Sequence, residues 1–321
     1  MRLATLLVAG ALVGAPAFAP VLADDYPQRP IQFVTGFSPG GNGDTMTRLL
    51  AAPLAEQLGK PVVVENKTGA AGNIAADYVA KAKPDGHTMI LLTGGHAVSA
   101  ALYKSLPFDP VEDFAAVSSV TFFPFVLAVR REHPFRTLED VIAAARAKPG
   151  AVTFSSSGIG STQHLIGELL AARTGVQLTH VPYRGGAAPL NDVLGGQVDL
   201  LSDTITVGQA PIQAGTLRGL GITSLQPWPT LPDVRPVAAV VPGFEVRSYT
   251  GLVTTKGTPP EIVARLNQEV RRALEKPALK RRLEEMGNEV RASAPEEFRA
   301  RIVADIQRWS DVIRAANVPR Q

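Results

Sequence analysis

Three times along this chain an apolar run ends in a glycine-rich turn that leads into a segment with helical spacing. The first turn is residues 37–48, FSPGGNGDTMTR. It lies between the apolar run 31–35 and a segment in which Met46, Leu49, Leu50, Leu54 and Leu58 recur at helical intervals. The second is residues 66–73, NKTGAAGN, and the third is residues 155–162, SSSGIGST. Strand–turn–helix corners of this kind restrict the fold to βα units, parallel strands joined by right-handed crossovers. Glycine lets the backbone approach whatever sits above the turn, with no Cβ in the way. The helix start leaves free N–H groups and a partial positive charge at the same place. Such a corner can hold an anion on main-chain donors. Taken singly it is as well explained as a tight turn that binds nothing; the repetition is what points to a site.

Between the corners the pattern continues. Pro53 falls inside the first helical segment, where loss of a hydrogen bond and a clash with the preceding turn cost about 3 kcal/mol, so a kink or early break is expected before Gly59. Strands are expected over 61–65 and 87–93, with a helix over 74–81 between them. The second of these strands ends in Thr93, Gly94, Gly95 and His96, another loop of small residues. After a proline-marked break come a strand over 125–130, a helix over 138–147, a strand over 152–155 and a helix over 163–173 closed by Gly175. A strand and loop over 179–186, a short helix and a strand over 198–201 follow, the last delivering Ser202, Asp203 and Thr204. A strand is expected over 217–223, and 249–256 reads as a strand crossing back to the first unit, on which the helical tail docks. The fold class is therefore α/β with two lobes: 27–124 together with 252–321, and 125–251. Two crossings make a hinge, and the cleft between the lobes holds the ligand, outside the carboxyl ends of the strands.

The 321 residues suffice for two such units. The formal net charge is +3, with basic residues scattered and no interleaved aromatics, so nucleic acid is excluded as a partner. Arg2 followed by an apolar, alanine-rich run to about residue 19 reads as an export signal, cleaved near Ala23 by its Val21-x-Ala23 pattern. There is no cysteine, hence neither a disulfide framework nor a thiol for a lipid anchor. A soluble, periplasmic monomer is expected.

Catalytic motifs are missing. No dinucleotide, P-loop or nucleophile-elbow pattern occurs, and the five histidines never fall at metal-ligand spacing on one helix. No metal or cofactor is expected. Ser155, Ser156, Ser157 and Ser161 read as hydroxyl donors in a turn and at a helix N-cap rather than as nucleophiles. His164 is a base or a packed side chain. Asp203, the best-placed lone acid, faces a ligand hydroxyl or ammonium, or forms a structural loop bond. What remains is a cleft of backbone N–H, serine and threonine donors, suited to a small carboxylate held by charge-assisted hydrogen bonds.

A series of motifs in fixed order carries a resemblance. It comprises FxPGGxxD at 37–44, NKxGAxG at 66–72, PDGxT at 84–88, PFDP at 107–110, HVPYRG at 180–185, GGQVD at 195–199, LPDV at 231–234 and GTP at 257–259. Together they resemble the Bug, or TctC, family of extracytoplasmic solute receptors of tripartite tricarboxylate transporters, over essentially the whole mature chain. The resemblance implies a type II periplasmic binding fold, a carboxylate ligand (a dicarboxylate, an amino acid or an aromatic acid) and membrane transporter subunits as partners. Carried over by position, it places Phe37, Ser38, Pro39, Gly40, Gly41 and Asp44, with Gly69, Ala70, Ala71 and Gly72, on one wall of the cleft. Thr93 and Gly94 join them. On the other wall it places Ser157, Gly158, Gly160, Ser161, Thr162 and His164, with Tyr183 and Asp203. Ala71 departs from the family's usual glycine. A sensor module for a membrane kinase would share the fold and site; a secreted hydrolase using the 155–157 loop would need an acid–base set that the sequence does not supply.

Overall fold

The computed structural model describes residues 26–321; the export signal and cleavage site expected at the N-terminus lie outside the described residues. In chain order the elements are β1 (Ile31–Thr35), α1 (Asn42–Leu58), β2 (Val62–Asn66), α2 (Asn73–Ala80), β3 (Thr88–Thr93), α3 (Gly95–Leu102), β4 (Phe114–Arg130), α4 (Leu138–Ala147), β5 (Thr153–Ser156) and α5 (Thr162–Thr174). There follow β6 (Thr179–Pro182), α6 (Ala188–Leu194), β7 (Leu201–Thr204), α7 (Ile205–Gln213), β8 (Leu217–Ile222), β9 (Arg247–Thr255), α8 (Pro260–Glu275), α9 (Pro277–Glu285), β10 (Glu289–Val290) and α10 (Pro295–Ala315).

The first lobe is built on β2-β1-β3-β9-β4-β10. β1 pairs in parallel with both β2 and β3, as the first two βα corners and the strand that follows them require, while the returning strand β9 is antiparallel to β3 and β4. The sheet is covered on both faces, which explains the unbroken apolar runs of its strands. Phe33, Met89, Leu91 and Leu252 point to α1 and α8, whereas Val34, Ile90, Leu92 and Val253 point to α2 and the first half of α10. Packing is tight enough that a Cβ on Gly251 would lie 2.0 Å from the ring of Phe298.

β4 belongs to both lobes. Residues 114–124 pair with β9, and residues 125–130 pair with β7 and β8. β5 and β6 extend the second lobe in parallel, joined to its sheet by the bridge between Phe154 and Leu200. The expected break before residue 125 does not occur. Pro124 sits where β4 changes partners, so its missing N–H falls at the end of one ladder rather than in the middle of it. Nor does Pro53 break α1, which runs unbroken from Asn42 to Leu58 and ends at Gly59 in the left-handed conformation. Ser202, Asp203 and Thr204 lie inside β7 rather than beyond it.

The expectation that the helical tail docks on the first lobe alone also needs correction. Phe298 and Ile302 of α10 do pack there. Trp309 and Ile313, farther along the same helix, join a core containing Ala97 and Val98 of α3 and Leu165 and Leu169 of α5. α10 therefore braces both lobes. Two helices escaped the pattern reading: α3, which opens with Gly95, and α7, which contains Gly208 and Pro211.

Gly251→Ala is expected to lower the unfolding free energy by about 1–3 kcal/mol, the usual range for overpacking, and Gly251→Ala combined with Phe298→Leu to recover part of it. Urea unfolding of the two variants checks this; additive losses would show that the ring of Phe298 is not the obstacle.

Candidate ligand-binding cleft

The cleft lies between the lobes, with the hinge as its floor. Phe123 and Phe125 flank Pro124 with their rings 5.8 Å apart, and Ser248 is the register partner of Phe123 on β9. Phe37, Gly41, Asn42, Gly43, Thr93 and Gly95 form the wall of the first lobe. Ser157, Ser161, Thr162 and Gln163 belong to the second, and Gly185, Gly186, Asp203 and Thr204 complete its share of the lining. The enclosed space is about 470 Å³, its open mouth included.

Four helices begin at this space. Asn42 and Gly43 open α1, Gly95 opens α3, Thr162 and Gln163 open α5, and Thr204 precedes α7. Each contributes unsatisfied N–H groups and the positive end of its dipole. In α5 the hydroxyl of Ser161 caps the N–H of His164 at 3.2 Å, leaving the two preceding N–H groups free to face the cleft. Two side-chain donors add to this set, Nδ2 of Asn42 and the hydroxyl of Ser157, both buried with no partner among the described residues, as is the acceptor Oδ1 of Asn42. Buried polar atoms without partners are uncommon in folded proteins, and both side chains line the cleft. No lysine, arginine or histidine does so; Asp203 is the only ionisable side chain among the lining residues.

The residues singled out from sequence divide into those on the cleft and those beside it. Phe37, Gly41, Thr93, Ser157, Ser161, Thr162 and Asp203 line it. Ser38, Pro39 and Gly40 instead make contact between the lobes. The N–H of Ser38 donates to the carbonyl of Arg184 at 3.2 Å, and Gly40 faces Ala187. Asp44 is turned into its own corner, accepting from the N–H of Gly40 and from Arg48 and Asn66. Burial works to raise its pKa, but those bonds outweigh it and hold the carboxyl below its ordinary value. Ala71 and Gly72 lie behind the ring of Phe37, Gly69 faces Ile74 and Ala70 is exposed; all four have positive φ. At the two alanines this conformation is a strained one. Gly94 abuts Ser248, Gly158 abuts Ala71 and Tyr183, and Gly160 abuts Tyr103 and Ser99. The hydroxyl of Tyr183 donates to Asp192 at 2.6 Å, away from the cleft.

His164 also stands behind the wall. Its ring lies 4.3 Å from that of His180, whose Nε2 is 2.6 Å from the hydroxyl of Ser156. Ser156 is fully buried beneath the corner, and the hydroxyl of Ser157, the one that reaches the cleft, has no base within bonding distance among the described residues. No cluster of possible metal ligands occurs among those residues either. The sequence reading passed over Asn42, Gly43 and Gly95, although each lies in a loop it had marked. It also missed Gln163, Gly185, Gly186 and Thr204, next to residues it had marked, and Ser248. Phe123 and Phe125 gave no signal, since a strand of apolar residues reads as core.

Burial, with His180 adding to it, holds His164 down at about 4, and burial holds His180 at about 4. Burial pushes Asp203 up to about 6 against the bonds it accepts from Thr204 and Gln163. An unfolded histidine titrates near 6.5. Between pH 6.5 and 4 the unfolded chain therefore takes up protons that the folded imidazoles refuse, and stability falls as pH drops. Asp203 acts in the opposite sense: below about pH 6 the folded state keeps a proton that the unfolded chain releases. His164→Gln should flatten the decline of the thermal midpoint across this window. Asp203→Asn should raise the midpoint at pH 7 and steepen the decline. An unchanged slope in His164→Gln would show that the imidazole pair is not held neutral.

The two lobes touch through glycines. A Cβ on Gly41 would lie 2.8 Å from the nitrogen of Gly186, yet Gly41 itself has φ −83°, which alanine adopts freely. Gly41→Ala thus obstructs closure without straining its own backbone. It should weaken ligand binding about tenfold, a difference of about 1.4 kcal/mol, and leave the circular dichroism spectrum unchanged. Equal affinity by calorimetry would mean that closure does not bring these loops together.

Comparison with known proteins gives a consistent set of relatives. A model of the tripartite tricarboxylate transporter family receptor, TctC, matches residues 46–318. A UPF0065 protein from the tcbD–tcbE intergenic region of Pseudomonas sp. (strain P51) is 38% identical over 292 residues, covering 90% of this chain and 87% of that protein. Among solved structures, the periplasmic binding protein BugD superposes with a TM-score of 0.88 at 33% identity, over 92% of this chain and 100% of that one. R. palustris Rpa4515, solved with adipate, gives a TM-score of 0.87 at 36% identity, over 91% and 99% of the two chains.

Proposed function

The chain belongs to the tripartite tricarboxylate transporter receptor family, a family of solute receptors, and from that membership we propose that it captures one small carboxylate in the cleft between its lobes and delivers it to the membrane subunits of such a transporter. Residues 27–124 with β9 and the helical tail act as one jaw and the chain between Phe125 and β9 as the other, the end of α10 being packed against both. The protein works in the periplasm, as its neighbour BugD does by name, after removal of a leader near Ala23. No helix among the described residues is long and apolar enough to cross a membrane.

The observation that carries the reading is the convergence of four helix N-termini on a cleft whose lining contains no cationic side chain. Fixed N–H dipoles suit a carboxylate, which accepts several bonds at once. The amide of Asn42 and the hydroxyl of Ser157, buried and otherwise unpartnered, suit the same ligand. Rpa4515, solved with adipate, shows that a chain of this fold binds a carboxylic acid.

Mass spectrometry of the small molecules released when the purified protein is denatured tests the proposal. A stoichiometric carboxylic acid is expected, and the same acid should rebind to refolded protein. Its affinity should fall about ten- to a hundredfold in Ser157→Ala combined with Asn42→Ala, equivalent to about 1.5–3 kcal/mol for charge-assisted hydrogen bonds. A released ligand without a carboxylate would overturn it.

A further inference from the structure

Asp203 is out of place in a site built for an anion. It is 6% exposed, lines the cleft, and has no lysine, arginine or histidine among the residues that share that lining. All the hydrogen bonds it accepts go to one oxygen. Oδ1 receives the N–H of Thr204 at 2.7 Å, the hydroxyl of Thr204 at 3.4 Å and the side-chain amide of Gln163 at 3.4 Å. Oδ2 accepts none from the described residues. The bond from Thr204 comes from the adjacent residue and does not reach the free N–H groups inside α7, so the carboxylate does little for the helix that follows it.

Oδ2 is not among the fully buried unpartnered atoms, so it opens onto the cleft, and once a ligand displaces solvent there the carboxylate needs a donor from that ligand. The helix N-termini, Asn42 and Ser157 already account for one ligand carboxylate, and Asp203 works against that group rather than for it. Resting on the carboxylate reading above, we infer that the cleft selects a carboxylate carrying a hydrogen-bond donor, a hydroxyl or an ammonium, that reaches Oδ2 of Asp203, and rejects a ligand whose second group is an ionised carboxylate. Phe123 and Phe125, which line the same cleft, offer apolar surface to the hydrocarbon of such a ligand. A site with a buried acceptor discriminates strongly against an analogue lacking the donor, because the acceptor is then left without a partner. A second ligand carboxylate beside Asp203 would add like-charge repulsion that no cationic side chain of the lining offsets.

Calorimetry on unfolded and refolded, ligand-free protein at pH 8, where Asp203 is ionised, tests this with matched probes. Two series, of four and six carbons, each contain the plain acid, its 2- and ω-hydroxy and amino forms, and the diacid. Succinate and adipate are the diacids, so the ligand of the neighbouring structure is among the competitors. A donor-bearing member should bind about ten- to a hundredfold more tightly than both the plain acid and the diacid of its series. Asp203→Asn should erase that ratio. Tightest binding by a diacid at pH 8, or a plain acid binding as well as its donor-bearing forms, overturns the inference while leaving the carboxylate receptor intact. A ratio unchanged in Asp203→Asn also overturns it, since the donor then bonds elsewhere. If no acid of either series binds, the carboxylate reading falls and this inference falls with it. The panel on the parent protein decides the discrimination even should the variant prove unstable.

Discussion

One strand carries hydrogen bonds for two sheets. β4 pairs with β9 up to Pro124 and with β7 and β8 from Phe125 onward, so the lobes are joined by continuous backbone rather than by a loose linker. Everything at the cleft follows from that handover. It places Phe123 and Phe125 on the floor, brings Ser248 of β9 beside them, and aims the carboxyl ends of β1, β3, β5 and β7 at one volume. β9 begins opposite Pro124, so both chain crossings lie at the handover, and α10, packed against both lobes, spans it as well. A bend at the floor is magnified at the rim, where Gly41 meets Gly186 and Ser38 meets Arg184.

Much of this was legible in the order of residues. The three glycine-rich corners, the parallel units behind them and a strand returning near residue 249 all follow from turn chemistry and apolar spacing, which are local. Pro124 misled because proline in a strand argues against a central position; only the change of partner at that residue makes it harmless. Phe123 and Phe125 could not be told from core, since periodicity records burial and not what a side chain is buried against. Asn42 sat in a marked corner, but nothing local distinguishes an amide that caps a turn from one left without a partner.

The second corner illustrates the same limit from the other side. Its sequence fitted a ligand-gripping loop, yet the structure interposes the ring of Phe37 between Gly72 and the cleft, with a Cβ on Gly72 only 3.5 Å from Cζ. The loop supports a side chain that faces the ligand space and touches the second lobe through Gly158. Its two alanines in the left-handed region are held by this packing, and a substitution there would act on the wall through Phe37.

The lack of any cation on the cleft lining has a kinetic side. An arginine or lysine at the mouth would draw anions from a distance and would lose that pull as salt accumulates. Backbone dipoles buried between two lobes act at contact range and are shielded from mobile ions. The lining itself therefore adds no side-chain cation to whatever steering the protein's net charge of +3 provides. Contacts with those dipoles, buried between the lobes, are screened less by mobile ions than a charge pair at the surface would be.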